Sequence, residues 1–250
     1  MPLPTHPIVV AGGTGNVGSF VVRALLERDA TVVVPSRSDE KLDGLREHLR
    51  QRVDAAALDR LHTFVGDLSD EAETAGLRQR IVETVGRPNA VLASLGTFVA
   101  TRSLLDASPR ELRRALDGYL LAHFQVARAF LPILRESGGT YVFVQGPLAF
   151  EPWENSGADL VSIATAGQHM LFRALAQELK DSPAQIVELV NHAFIRDRTT
   201  QPSSPLPGEA VGAYAAYLLS GTASEAVHGQ SIHLRSLEQL AEAGLDAPVT

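Results

Sequence analysis

Three glycines spaced three apart, Gly12, Gly15 and Gly18, punctuate the run "VAGGTGNVGSFVVRALLE", with Gly13 beside the first. The run leaves a short apolar stretch and opens a helical pattern. Glycine suits a backbone that must turn sharply and let a diphosphate approach, and Gly18 allows helix and strand to pack closely. A helix amino terminus then offers free N–H groups and a positive dipole to phosphate. Thr14, Asn16 and Val17 complete this candidate cradle. Glycines in a tight strand–helix turn also serve structure alone, so the phosphate reading leans on the strand before and the helix after.

The end of the second apolar run, "VPSRSDEK", carries the next cue. A chain that prefers NAD places a carboxylate there to hold the ribose 2′-hydroxyl. Here the residues are Ser36, Arg37 and Ser38, with no acid until Asp39. An arginine can grip a 2′-phosphate with two parallel hydrogen bonds, which favours NADP(H) over NAD(H). The alternative is a solvated residue at a helix start. In "FVGDLSD", Asp67 and Leu68 follow the third run, and Asp67 could accept a hydrogen bond from an adenine amino group. Asp67 could equally cap a helix, with Ser69 and Asp70 as rivals. Ser94, Leu95 and Gly96, after the fourth run, close the candidate cofactor set. No His/Asp/Glu spacing suggests a metal site. No Gly-x-Ser-x-Gly occurs, so a hydrolase elbow is not expected.

These residues need a frame to hold them. Apolar runs at 7–11, 31–35, 61–66, 89–94, 139–145, 185–191 and 230–234 alternate with helical patterns near 16–28, 38–50, 70–86, 109–136, 159–180 and 208–220. Runs this apolar read as strands buried on both faces, as parallel strands are. The alternation predicts an α/β fold: a doubly wound, seven-stranded parallel sheet with helices on both faces. Neither a repeat nor a linker divides residues 1–250, which are expected to form one domain. The Pro/Ser-rich stretch 198–208 reads as a surface loop and a candidate lid. Residues 146–158, with the only Trp, form another long loop, and 236–250 a polar tail with a possible short helix.

The 250 residues are 45% hydrophobic and carry a formal net charge of −7. An acidic chain with no basic face is not expected to bind nucleic acid. The absence of cysteine excludes disulfides and thiolate metal sites. No apolar run approaches a bilayer span, and "MPLPTHPIVVAGG" lacks a signal-peptide pattern. A cytoplasmic protein is expected.

In "AGGTGNVG", "SRSDEKL", "GDLSD", "ALAQEL" and "YLLSGTASEAVHGQSIHL", with Gly229 and Gln230 matching a Gly-Gln pair, the chain resembles the short-chain dehydrogenase/reductase family over nearly its whole length. The resemblance implies a Rossmann-like sheet and hydride transfer between nicotinamide and a carbonyl or alcohol. It implies a Tyr that moves the proton and a Lys one turn later that lowers the Tyr pKa. It also implies a Ser that orients the substrate oxygen and an Asn that supports a water relay. Aligned by flanking residues, the Tyr position holds Val161, the Lys position Thr165, the Ser position Gly146 and the Asn position Tyr119. The usual Asn-Asn-Ala-Gly loop reads Ala93-Ser94-Leu95-Gly96, and the usual Pro-Gly reads His192-Ala193. A check free of alignment agrees. Four residues after Tyr119, Tyr141, Tyr214 and Tyr217 come His123, Gln145, Leu218 and Gly221, none of them Lys. Lys41 and Lys180 follow Arg37 and Ala176 by the same spacing.

Tyr119, His192 and Thr165 are the candidate substitute groups, with His123 and His169 nearby. An unperturbed His suits proton transfer near neutrality, and His192 is expected at a carboxyl strand edge, where a pair with Tyr119 could run the step. The bland reading has His192 bonded to backbone, Tyr119 filling space and His169 in a helix interface or subunit contact. Three functions follow. One is an NADP(H)-binding member without the usual redox machinery: a sensor, a partner subunit or an enzyme for a non-redox step. Another is an active reductase of a carbonyl or imine using substitute groups. The third is a cofactor-free protein that kept only the fold. The resemblance also implies a homodimer or homotetramer through the 109–136 and 159–180 helices. Phe98, Phe150, Trp153 and Phe194 make a small apolar or aromatic ligand plausible.

Overall fold

The computed structural model describes residues 6–220, 223 and 226–246. The first five residues of the amino-terminal run, positions 221, 222, 224 and 225 of the 217–234 stretch, and the end of the tail (247–250) lie outside the described residues.

Runs of Val and Ile alternate their side chains across a pleat, and here both faces of the pleat are apolar. In β1 (Ile8–Ala11), Ile8 and Val10 face one core with Val22 and Leu25, while Val9 and Ala11 face another with Ile81 and Phe130. A strand apolar on both sides is stable only between two helical layers, so the pattern fixes a three-layer fold. β1 joins β2 (Val32–Ser36), β3 (Leu61–Val65), β4 (Ala90–Ala93), β5 (Thr140–Gln145), β6 (Gln185–Asn191) and β9 (Ser231–Leu234). All pair in parallel in the order β3-β2-β1-β4-β5-β6-β9. The first core lies under α1 (Asn16–Leu26), α2 (Asp39–Arg50) and α8 (Gly208–Leu218). The second lies under α4 (Glu71–Thr84), α6 (Ala122–Ser137) and α7 (Asp159–Glu178).

The seven expected strands are all present, each within one residue of its expected bounds. The helices depart more. The pattern at 109–136 is not one continuous α-helix: α5 (Pro109–Leu116) passes through a wider π turn at Asp117–Leu121 before α6 begins. Such turns insert a residue and re-aim the side chains they carry, here including Tyr119. A short α3 (Ala55–Leu58), a hairpin of β7 (Ile195–Arg196) and β8 (Thr199–Thr200), and α9 (Glu238–Glu242) in the polar tail fill the connections. No helix among the described residues is long and apolar enough to cross a membrane.

From β1 the chain goes outward to β2 and β3, then returns to start β4 on the other side. Loops leaving the carboxyl ends of β1 and β4 therefore part company, and a crevice opens between them.

Candidate functional site

The crevice has a volume of about 880 Å³. Its floor is the glycine-rich turn. Gly12 adopts φ +85, a region that side chains rarely enter, and a Cβ there would stand 2.1 Å from the Ser94 carbonyl oxygen. A Cβ on Gly18 would stand 2.1 Å from the Gly12 carbonyl oxygen. Both glycines are thus required by the turn itself. Gly15 is the N-cap of α1 and offers no side chain to the helix terminus. The first N–H groups of α1 are left for an outside acceptor.

Gly12, Thr14, Gly15, Ser36, Arg37 and Ser38 line the crevice; so do Asp67, Leu68, Ser94, Leu95 and Gly96. Four other sequence candidates do not. Gly13 packs against Val34, Gly18 against Gly12, and Val17 against the core. The Asn16 side chain turns to the hairpin: Nδ2 donates to the Ile195 carbonyl (3.3 Å) and Oδ1 accepts from the Arg198 N–H (3.2 Å). Asp67 is not a helix cap, since Asp70 caps α4 by accepting from the Glu73 N–H (2.9 Å). Asp67 instead accepts from the Ser69 N–H (2.8 Å) and hydroxyl (2.7 Å). Sequence reasoning missed Lys41 and the whole far wall, which comes from α5 and the π turn: Arg110, Arg113, Arg114, Asp117 and Gly118. Their signal was a row at positions 110, 113, 114, 117 and 118, one face of a helix.

Tyr119, Thr165 and His192 make no hydrogen bond with one another among the described residues. Tyr119 lies over Gly96, whose added Cβ would be 2.3 Å from the tyrosine Cε1. Burial pushes its phenol above the ordinary value. Thr165 is 3% exposed and donates its hydroxyl to the Val161 carbonyl of its own helix (2.8 Å). Val161 is 4% exposed. Gly146 is the opposite case, because a Cβ there would meet nothing within 4 Å. His192 pairs with His233 on the edge strand, Nε2 to Nδ1, at 3.1 Å. Burial, with Arg235 and His233 nearby, holds its pKa below the ordinary value. Among the described residues no hydrogen bond or ring contact joins His192 to Tyr119.

His123 is buried. Its Nδ1 meets the Tyr119 carbonyl at 2.8 Å, and its Nε2 meets the Gln168 amide at 3.2 Å and the Ala93 carbonyl at 3.3 Å. Burial lowers its pKa to about 4, opposed by the two carbonyls. The neutral ring that follows donates from Nδ1 to Tyr119 and accepts at Nε2 from Gln168. His169 has a partner that sequence reasoning did not foresee: its Nδ1 lies 2.8 Å from the Glu188 carboxylate, which has no exposed surface.

The loop expected at 198–208 begins as the β7–β8 hairpin. Asp197 and Arg198 turn it with φ of 49 and 57. Arg198 Nη1 donates to the Gly44 carbonyl (2.7 Å) and Nη2 to the Thr14 carbonyl (3.1 Å). The hairpin is thereby buckled onto the outside of the glycine-rich turn.

Comparison with known proteins agrees with this architecture. Residues 6–198 match the model of the short chain dehydrogenase family. An NADPH-dependent pterin aldehyde reductase of Arabidopsis thaliana is 24% identical over 184 residues, which cover 72% of this chain and 71% of that one. The NADPH-bound structure of a short chain oxidoreductase from Pseudomonas aeruginosa PAO1, containing an atypical catalytic center, superimposes with a TM-score of 0.78 at 21% identity, covering 92% of this chain and 95% of that one. An NADH-dependent reductase, A1-R′, complexed with NAD gives 0.75 at 18% identity over 93% and 96%. With its parallel sheet, its glycine-rich turn after β1 and a family match over most of its length, the chain belongs to the short chain dehydrogenases.

Proposed function

We propose that this chain is an NADP(H)-binding short chain dehydrogenase in which Tyr119, Gly146, Val161 and Thr165 replace the usual Asn, Ser, Tyr and Lys. It is then a non-standard or redox-inactive member: a cofactor sensor, a partner subunit or an enzyme for a non-redox step. Members of this oxidoreductase family bind a nicotinamide cofactor, and the residues present fit one. The uncapped start of α1 would take the diphosphate, with Gly12 and Gly15 letting it approach the backbone. Arg37, beside Ser36 and Ser38, would hold a 2′-phosphate, and Asp67 would face the adenine. When bound, the nicotinamide supplies or takes a hydride. The observation that carries the reading is a contrast. The crevice is open and lined by polar and cationic groups, yet the Tyr and Lys positions are apolar or self-bonded and closed off. A proton donor whose pKa is drawn toward neutrality is what those positions would need to supply.

Calorimetric titration with NADPH and NADH tests the binding half. Tighter binding of NADPH is expected, and binding of neither would end the reading. NADPH oxidation with a panel of carbonyls and imines tests the other half, with little or no turnover expected.

One observation favours a second reading, an active reductase of a carbonyl or imine. The His192–His233 pair sits at the carboxyl ends of β6 and β9, with Nε2 of one ring 3.1 Å from Nδ1 of the other, so a proton can be passed between them. Burial strengthens the hold of Tyr119 on its proton and weakens it as a donor. Turnover lost in His192→Ala and kept in Tyr119→Phe would favour this reading.

We further read residues 1–250 as one domain that forms a homodimer or homotetramer. Leu121, Phe124, Ile163 and Met170, exposed on the π turn, α6 and α7, support that contact. Half-exposed Phe150, Trp153 and Phe194 support a small apolar or aromatic ligand, with Trp153 and Phe194 stacked edge-on at 5.9 Å.

A further inference from the structure

Two cationic walls face each other across the crevice. Arg37 and Lys41 stand on the β2–α2 side, and Arg110, Arg113 and Arg114 on the α5 side. Among the described residues none of these five makes an ion pair, although elsewhere Arg23, Arg50, Arg60, Arg87 and Arg128 all do. The nearest acid on α5 is already engaged: Glu111 accepts from the Ser108 N–H (2.8 Å) and hydroxyl (2.7 Å) in a capping box. Asp67 is held by Ser69, and among the described residues the Asp117 carboxylate makes no ion pair with Arg113 or Arg114, bonding to their carbonyls through its backbone N–H alone. The arginine face cannot roll away. Ala115 is buried behind it, and Leu112 and Leu116 pack against Val99, Leu160 and Ala164.

Like charges on opposite walls of an open crevice raise its potential, and a polyanion between them relieves the repulsion. The diphosphate has its own donors in the glycine-rich turn. A third phosphate has none there. We propose that Arg110, Arg113 and Arg114 form the second jaw of a clamp on a phosphate monoester carried by the adenosine ribose. Selectivity for the 2′-phosphorylated dinucleotide is then set from both walls and not by Arg37 alone. Arginine forks suit that task because each can give two parallel hydrogen bonds to one phosphate. This inference rests on the dinucleotide reading above.

The test is calorimetric titration of the full chain with 2′,5′-ADP, 5′-AMP, NADPH and NADH. The proteins are wild type, Arg37→Ala, the triple variant Arg110→Ala/Arg113→Ala/Arg114→Ala, and Arg113→Glu alone in case the triple variant folds poorly. The expected result is a loss of about tenfold or more for 2′,5′-ADP and NADPH in the α5 variants, with 5′-AMP and NADH little changed. Added salt should narrow the gap between wild type and variant. Wild-type affinity for 2′,5′-ADP in the α5 variants would overturn the second jaw, as would an equal loss for NADH and 5′-AMP. Wild-type protein that takes neither dinucleotide would instead remove the underlying reading, a result obtained before any variant is made.

Discussion

His169 on α7 and Glu188 on β6 are joined at 2.8 Å, Nδ1 to Oε2, across the face of the sheet. The same carboxylate accepts from the Gln145 amide on β5 and the Ser231 hydroxyl on β9. One side chain thus ties three strands to a helix. Removing it strands buried donors on both sides, so Glu188→Ala should cost about 3 kcal/mol. Burial is the main influence on Glu188 and pushes its carboxyl above the ordinary value, while Ser231, His169 and Arg173 pull it back. A raised folded-state pKa means the native state keeps the proton longer than the unfolded chain. Its contribution is full below the ordinary value of 4.5 and is lost as pH rises through the folded value. Glu188→Gln should flatten that decline in urea titrations taken from pH 5 upward, and parallel curves for the two proteins would contradict it.

His123 tilts stability the other way. Its pKa falls from 6.5 to about 4 because the ring is buried. Between those values the unfolded chain takes a proton that the native state refuses. Stability from this group is present above pH 6.5 and is lost as pH falls toward about 4. The direct readout is the imidazole C–H resonance of His123 by NMR, assigned with His123→Gln. It should stay at its neutral position through pH 5.5, whereas a midpoint near 6.5 would place the ring in solvent.

The sheet was legible because its signal is local. "IVV", "VVV" and "VFV" are apolar at every position, as a strand buried on two faces is. The glycine-rich turn was legible for the same reason. What was missed depends on contacts between distant segments. Arginines at 110, 113 and 114 look like any solvated helix face until α5 is set opposite Arg37. Glu188 left a trace, a lone acid inside "QIVELVN", but nothing local says that His169, Gln145 and Ser231 will meet it. The hairpin at 195–200 hides because its turn residues, Asp197 and Arg198, take left-handed backbone without the Asn-Gly that ordinarily announces it. The π turn hides because it keeps a helical period on either side.

Thr165 and Gly146 predict opposite outcomes when the residues that the proposed alignment assigns to the family are introduced there. At Gly146 an added side chain meets open space, so Gly146→Ser should leave the denaturation midpoint within about 0.5 kcal/mol of wild type. At Thr165 the side chain is 3% exposed and its hydroxyl bonds the Val161 carbonyl. Thr165→Lys would place an ammonium at a buried position and should cost about 3 kcal/mol or more. Thr165→Val loses only the back-bond to the helix and should be close to neutral. Urea unfolding of the three variants separates them. A well-tolerated Thr165→Lys would mean that α7 can shift to open this position, and on the proposed reading the combined Gly146→Ser/Val161→Tyr/Thr165→Lys protein should then gain turnover.

Arg198 fastens the β7–β8 hairpin with two guanidinium bonds, to Gly44 and Thr14, and pays for its position with a φ of 57. These two effects have opposite signs and can be separated. Arg198→Ala loses the bonds but keeps a Cβ in left-handed backbone, so it should destabilise by about 1–2 kcal/mol. Arg198→Gly loses the same bonds but is relieved of the Cβ clash, and should recover about 1 kcal/mol of that loss. In both, the backbone N–H still reaches Asn16, so the hairpin loosens without detaching. Hydrogen exchange should accelerate at 195–200 and at the Asn16–Gly18 amides, and remain unchanged in β1 and β4. Equal stability of the Ala and Gly variants would remove the strain argument. Unaltered exchange at the hairpin would show that the guanidinium does not hold it to the glycine-rich turn.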